Sequence, residues 1–206
     1  MKTFFLLSVL ITRLSISSNA QNLITVQNGS SVSFYTTIPA AVTGANNGDT
    51  IYIPGGTWDI GSLTINKELH IIGVGHNPDS AQASSITYIS NGVIFLQDGA
   101  SNGSFQGTQF NGSIQVNPAS AIVTNYNISR NNIGSILLGF NCTNWVISEN
   151  ITPTIIGSLT PGQKSINNGV FNNIIYYNIY SVSYTHLRAH ETVLDLVCRL
   201  LLEKKK

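Results

Sequence analysis

Residues 37–75 read TIPAAVTGANNGDTIYIPGGTWDIGSLTINKELHIIGVG, and this stretch decides the fold. Its grammar is short β segments separated by turns rather than by helices, as a coil of parallel strands requires when it stacks rung upon rung. Ile51, Tyr52 and Ile53 form one segment. Asn46, Asn47, Gly48 and Asp49 before it, and Pro54, Gly55 and Gly56 after it, are turn formers. They supply left-handed backbone angles, a fixed φ and side chains that bond their own backbone. The segments at 63–65 and 69–72 follow, alternating apolar and polar with glycine at the bends, the pattern of coil sides with one buried face. Upstream, residues 37–45 predict about two helical turns, with Thr36 or Thr37 as N-cap and Pro39 in the first turn. Ile38, Ala41, Val42 and Ala45 share one face of that helix. It would plug the open end of the coil, whose first rung otherwise exposes its apolar interior and a row of unpaired backbone groups.

The chain then echoes itself. Asn125-Tyr126-Asn127-Ile128-Ser129-Arg130-Asn131 returns as Asn144-Trp145-Val146-Ile147-Ser148-Glu149-Asn150, an offset of 19 residues (144 − 125). Val170-Phe171-Asn172-Asn173-Ile174 repeats residues 146–151 with one position dropped. A period of roughly 20 residues is one rung of a small solenoid. The alignment predicts that Ile128, Ile147 and Phe171 stack inside the coil, with Asn131, Asn150 and Asn173 stacked at one corner. Asparagine suits such a corner because it tolerates left-handed angles, and its amide both donates and accepts between rungs ~4.8 Å apart. The role of these asparagines is architectural.

The succession Ile38-Pro39-Ala40-Ala41-Val42, then Gly48-Asp49-Thr50-Ile51-Tyr52-Ile53-Pro54-Gly55-Gly56-Thr57-Trp58, then Leu69-His70-Ile71-Ile72-Gly73-Val74-Gly75 resembles the start of pectin-lyase-like proteins. The resemblance covers the body of the chain from Thr25 to Tyr180. It implies an all-β, right-handed parallel β-helix (solenoid) with a short N-terminal capping helix, over residues 21–180. It implies no single activity, since this architecture serves lyases, hydrolases, adhesins and passive surface proteins alike. Lyases of the fold hold calcium with several acidic groups and use an Arg or Lys as base, whereas its hydrolases need paired carboxylates facing one groove. Here Asp49, Asp59, Glu68, Asp79, Asp98 and Glu149 are scattered, without an Asp-Asp or Asp-x-Asp pair. No catalytic residue is therefore carried over from the family, and no metal site or cofactor is expected.

Both ends of the chain read differently from its body. Met1 and Lys2, an apolar run from Phe4 to Ile11 and the small-residue stretch ending Ser18-Asn19-Ala20 form a secretory signal peptide over residues 1–20. The apolar run is shorter than the about 20 residues that span a bilayer. From Ser181 onward the text changes to SVSYTHLRAHETVLDLVCRLLLEKKK. Back-translated, residues 182–192 and 196–204 resemble the two ends of a sequencing-library adapter, so residues 181–206 are expected to be an artefact rather than a native domain. The native chain would then continue past Tyr180.

Without its ends the chain is nearly uncharged. Lys67, Arg130 and Lys164 are the basic residues of 21–180. Clustered Lys and Arg, which nucleic acids and anionic membranes attract, are absent. Cys142 is left without a partner thiol and reads as a small buried filler. Arg130 and Glu149 fall at equivalent repeat positions and predict an ion pair between adjacent rungs. His70 and His76 form neither a metal site nor a dyad. Tyr126 and Trp145 also fall at equivalent positions, with Tyr176 and Tyr177 nearby, and an exposed row of aromatics holds sugar rings. Tyr126 and Trp145 are accordingly the candidate substrate-binding residues. The expected protein is a monomeric, secreted or cell-surface β-helix that binds polysaccharide without a visible catalytic constellation. The alternative is the N-terminal part of a secreted polysaccharide lyase or glycoside hydrolase whose catalytic rungs lie further on.

Overall fold

The computed structural model describes residues 22–77, 85–157 and 167–180. Residues 1–21, which include the expected signal peptide, and residues 181–206 lie outside them. The chain opens with a hairpin of β1 (Ile24–Asn28) and β2 (Ser31–Tyr35), followed by helix α1 (Ile38–Gly44). Six strand pairs then wind in succession. They are β3 (Asp49–Ile53) with β4 (Gly56–Ile65), β5 (Leu69–Gly73) with β6 (Thr87–Leu96), and β7 (Ser104–Gln106) with β8 (Gln109–Val116). β9 (Asn127–Ser129) with β10 (Asn132–Leu137), β11 (Val146–Ser148) with β12 (Ile151–Ile156), and β13 (Gly169–Phe171) with β14 (Ile174–Tyr180) complete them. The odd-numbered strands from β3 to β13 stack with β1 and β2 into an eight-stranded sheet, and the even-numbered strands from β4 to β14 stack into a six-stranded sheet. From β3 onward every pairing in both sheets is parallel. The molecule is a parallel β-solenoid.

Like residues sit above like in its core. Ile51 lies beside Ile71, Ile71 beside Phe105, Phe105 beside Ile128, and Ile128 beside Ile147. All five are essentially inaccessible to solvent, and each such side chain contributes about 1.5–3 kcal/mol on burial. The column ends on Val170, not Phe171. Val170 pairs with Ile147 and is buried, while Phe171 pairs with Ser148 and is 39% exposed. The echo drops no position, and because side chains alternate faces, a slip of one residue exchanges the inner and outer sets.

The cap is built as its sequence indicates. The Thr37 hydroxyl accepts from the Ala40 amide at 3.3 Å, and Ile38, Ala41, Val42 and Ala45 are buried. Lys67 Nζ donates to the Ala45 carbonyl at 2.6 Å and to that of Thr43 at 3.3 Å, tying the free carbonyls at the helix end to the first rung. The entrance departs from the parallel pattern, for β1 pairs antiparallel with both β2 and β3. A parallel ladder has no means of ending itself, and a reversed strand with its hairpin partner covers the first parallel edge. Asp49 reads correctly as a turn-bonding carboxylate: it is buried and accepts from the Asn46 amide and from Asn28 Nδ2, both at 2.7 Å. Asp98 instead reaches the next rung, accepting from the Ile122 amide at 2.7 Å.

Candidate functional site at a corner of the coil

In the four rungs from β7 to β14, two corners are each made by one residue in the left-handed conformation. On entry to the eight-stranded sheet these are Asn102, Asn125, Asn144 and Asn167, with φ of 64°, 56°, 57° and 57°. On exit they are Gly107, Arg130, Glu149 and Asn172, with φ of 73°, 57°, 58° and 55°. Such a residue reverses the alternation of side chains, so the residue after it falls inside the coil. After the exit corners come Thr108, Asn131, Asn150 and Asn173, and their polar groups join into a ladder. Asn131 Oδ1 accepts from the Thr108 amide at 3.1 Å and from its hydroxyl at 3.0 Å. Asn150 Oδ1 accepts from the Asn131 amide at 3.0 Å, and Asn173 Oδ1 from the Asn150 amide at 2.9 Å. Asn150 Nδ2 donates to the Ile128 carbonyl and to Asn173 Oδ1. The architectural reading of the three asparagines is correct, and Thr108, invisible in the repeat alignment, heads their ladder.

The same rule corrects the candidate substrate-binding residues. Tyr126 follows corner residue Asn125 and Trp145 follows Asn144, so both rings turn inward and each is 1% exposed. They stack across rungs, with ring centroids 5.1 Å apart, and Trp145 Nε1 donates to the Val123 carbonyl at 2.8 Å. Neither ring presents a face to a ligand. Burial drives the Tyr126 phenol well above its ordinary value. Cys142, which is free and buried beside them, has its thiol pushed up to about 12, also by burial. The small buried filler read from sequence is therefore correct, and a thiol held so firmly protonated is unreactive. Tyr176 and Tyr177, by contrast, are 59% and 74% exposed.

A cleft of about 540 Å³ opens at the exit corner, lined by Val74, His76, Gln106, Arg130 and Glu149 among others. Arg130 Nε donates to Glu149 Oε2 at 2.8 Å, the adjacent-rung pair that the repeat predicts. The hydrogen bond to the Glu149 carboxylate, and then its charge, raise the Arg130 pKa further. Among the described residues the Arg130 side chain hydrogen-bonds through Nε alone, which leaves its two Nη groups for a ligand. His76 Nδ1 lies 3.0 Å from the Arg130 carbonyl oxygen. A carbonyl only accepts, so Nδ1 carries the proton and Nε2 of the neutral ring keeps its lone pair. His70 faces elsewhere, bonded through Nδ1 to Ser104 Oγ at 3.1 Å.

Arginine and glutamate are poor choices for a left-handed corner, where glycine and asparagine are favoured. In eight corner positions they occur twice, on adjacent rungs, and both line the cleft. Local structure that breaks its own rule at one place directs attention to function at that place. Sequence reasoning found the Arg130–Glu149 pair but not the cleft, because His76 reaches it across 54 residues of chain. Among the described residues no group of three His, Cys, Asp or Glu side chains is placed to hold a metal ion, and no helix is long and apolar enough to cross a membrane. Comparison of the chain with family models, with curated proteins and with solved structures finds no match in any of the three.

Proposed function

We propose that this chain is a secreted or cell-surface β-solenoid that binds an acidic polysaccharide in the corner cleft. The observation that carries the reading is the coincidence of that cleft with the two strained, charged corners Arg130 and Glu149. The open Nη pair of Arg130 matches a sugar carboxylate in a two-pronged geometry. Glu149 and His76 Nε2 accept hydrogen bonds from ring hydroxyls, and the Gln106 amide does either. The signal-peptide pattern of residues 1–20 supports export, and the resemblance to pectin-lyase-like proteins supports a polysaccharide partner. Affinity electrophoresis in gels containing polygalacturonate tests the proposal. Wild-type protein is expected to be retarded, and Arg130→Ala to migrate freely with an unchanged circular dichroism spectrum. Equal migration of the two proteins in gels with and without the polymer would sink it.

One observation favours an enzyme instead. An imidazole lone pair and a guanidinium lining one cleft combine a base with a group that neutralises a uronate carboxylate, the pairing that β-elimination needs. A lyase would release products with a conjugated double bond, visible as a growing ultraviolet absorbance. The binding reading expects none.

A further inference from the structure

The six-stranded sheet carries a feature that the corner cleft does not use. Its outward column runs Thr57, Tyr88, Gln109, Asn132, Ile151 and Ile174, each paired in register with the next. Five strand spacings of ~4.8 Å make this column about 24 Å long, parallel to the coil axis. Two hollows of about 240 and 260 Å³ lie along it and share Tyr88 and Gln109, so they form one trough. Among the described residues no charged side chain lines either hollow. Tyr176, packed against Tyr177 with centroids 5.6 Å apart, stands over the end of the trough opposite Thr57.

The amides along this trough are open. Among the described residues the side chains of Gln109, Asn111 and Asn132 make no hydrogen bond within the protein. One position away, Asn131 uses both ends of its amide inside the ladder. The backbone beside the trough is shaped to stay bare. Where the strands bend, a Cβ on Gly92, Gly112 or Gly134 would collide with the carbonyl oxygen of Gly61, Gly92 or Gly112 on the preceding rung.

We propose that this trough is a second binding site, separate from the corner cleft, for an uncharged and extended polysaccharide lying along the coil axis. Each open amide offers a donor and an acceptor at one rung spacing, which suits the hydroxyls of a chain whose sugar units advance by a similar length. Tyrosine faces pack on the apolar faces of sugar rings. The absence of charge rejects phosphate and carboxylate groups, which would be desolvated there without a counter-charge. A straight trough selects ribbon-like β-1,4-linked chains over coiled ones.

Isothermal titration of the purified chain with cellohexaose, xylohexaose, mannohexaose, maltohexaose and a galacturonate hexamer tests the site. At least one of the three uncharged β-1,4-linked hexamers is expected to bind at least about tenfold more tightly than maltohexaose, a difference of about 1.4 kcal/mol. Tyr176→Ala, and separately the half-buried pair Gln109→Ala with Asn132→Ala, should each weaken that binding by about tenfold, while Tyr176→Phe retains it. Thermal melts confirm that the variants fold. Arg130→Ala should leave neutral-sugar binding unchanged while losing the galacturonate hexamer. The trough proposal is overturned if no uncharged hexamer binds, if the trough variants bind as wild type, or if Arg130→Ala abolishes neutral binding. Galacturonate binding that survives Arg130→Ala would instead overturn the acidic-polysaccharide reading and leave the trough untouched.

Discussion

The entry and exit corners of the coil share one backbone conformation and differ in what they do with it. Over the four rungs from β7 to β14 the entry corner is asparagine, and outward amides of that column bond one another, Asn125 Nδ2 to Asn102 Oδ1 at 3.0 Å and Asn144 Nδ2 to Asn125 Oδ1 at 3.2 Å. Behind it lie rings, Tyr126 and Trp145. The exit corner reverses the arrangement, with amides inside and Gly107, Arg130, Glu149 and Asn172 outside. Asparagine's tolerance of positive φ lets either column repeat indefinitely. An arginine and a glutamate at two consecutive steps cost backbone strain that asparagine would spare, and a surface ion pair returns little. The difference separates a corner chosen for folding from one whose residues are chosen for the surface they present.

The largest effect is expected where the exit corner is architecture. Asn150→Ala removes the partner of the Asn131 amide and frees the buried Ile128 carbonyl, and should cost about 3 kcal/mol in chemical denaturation. The same change at exposed Asn144 should cost well under half of that. Equal losses at the two positions would erase the distinction between inner and outer amides.

Alkali should attack the entry corner first, because its interior holds the titratable groups. The folded state keeps Tyr126 protonated above the ordinary 10.0 and Cys142 above the ordinary 9.0. The unfolded chain loses those protons at the ordinary values, so it binds fewer protons there and stability falls as pH rises from about 9 upward. Melting temperatures measured from about pH 8 to about pH 11 should decline, and Cys142→Ala should flatten the first part of the decline. A profile that stays level would remove this asymmetry between the corners.

Exchanging corner residues gives smaller effects of opposite sign. Asn125→Arg breaks the outer amide ladder and places a side chain without a partner carboxylate at positive φ, at a cost of about 1–2 kcal/mol. Arg130→Asn relieves the exit corner and should raise the unfolding midpoint slightly while abolishing retention by polygalacturonate. Stability gained where binding is lost is the signature of a functional site. A destabilised Arg130→Asn protein that still binds would mean that Arg130 is merely structural.

Much of the architecture was legible because a coil repeats its constraints. Turn formers around Ile51 to Ile53, the capping pattern of Thr37 and Pro39, and the echo of Asn131 in Asn150 and Asn173 are local signals, each dictated by backbone sterics or by alternation. Such signals lose reliability where one residue changes the parity, as Phe171 and Val170 show. Tyr126 and Trp145 illustrate the same limit. Their equivalence was evident from the repeat, but which way the rings point depends on the positive φ of Asn125 and Asn144, and asparagine permits that angle without requiring it.

The sequence alone therefore determined the stacked-strand architecture, the helical cap, the inner asparagine ladder and the Arg130–Glu149 pair, since neighbours along the chain or one period apart settle each of them. Only the tertiary structure decided that the aromatic pair is core, that His76 reaches across to the Arg130 carbonyl, and that open amides align in a trough on the other sheet. Those facts depend on how far each rung is offset from the next, and the offsets along the core column run 20, 34, 23, 19 and 23 residues with no mark in composition to announce them.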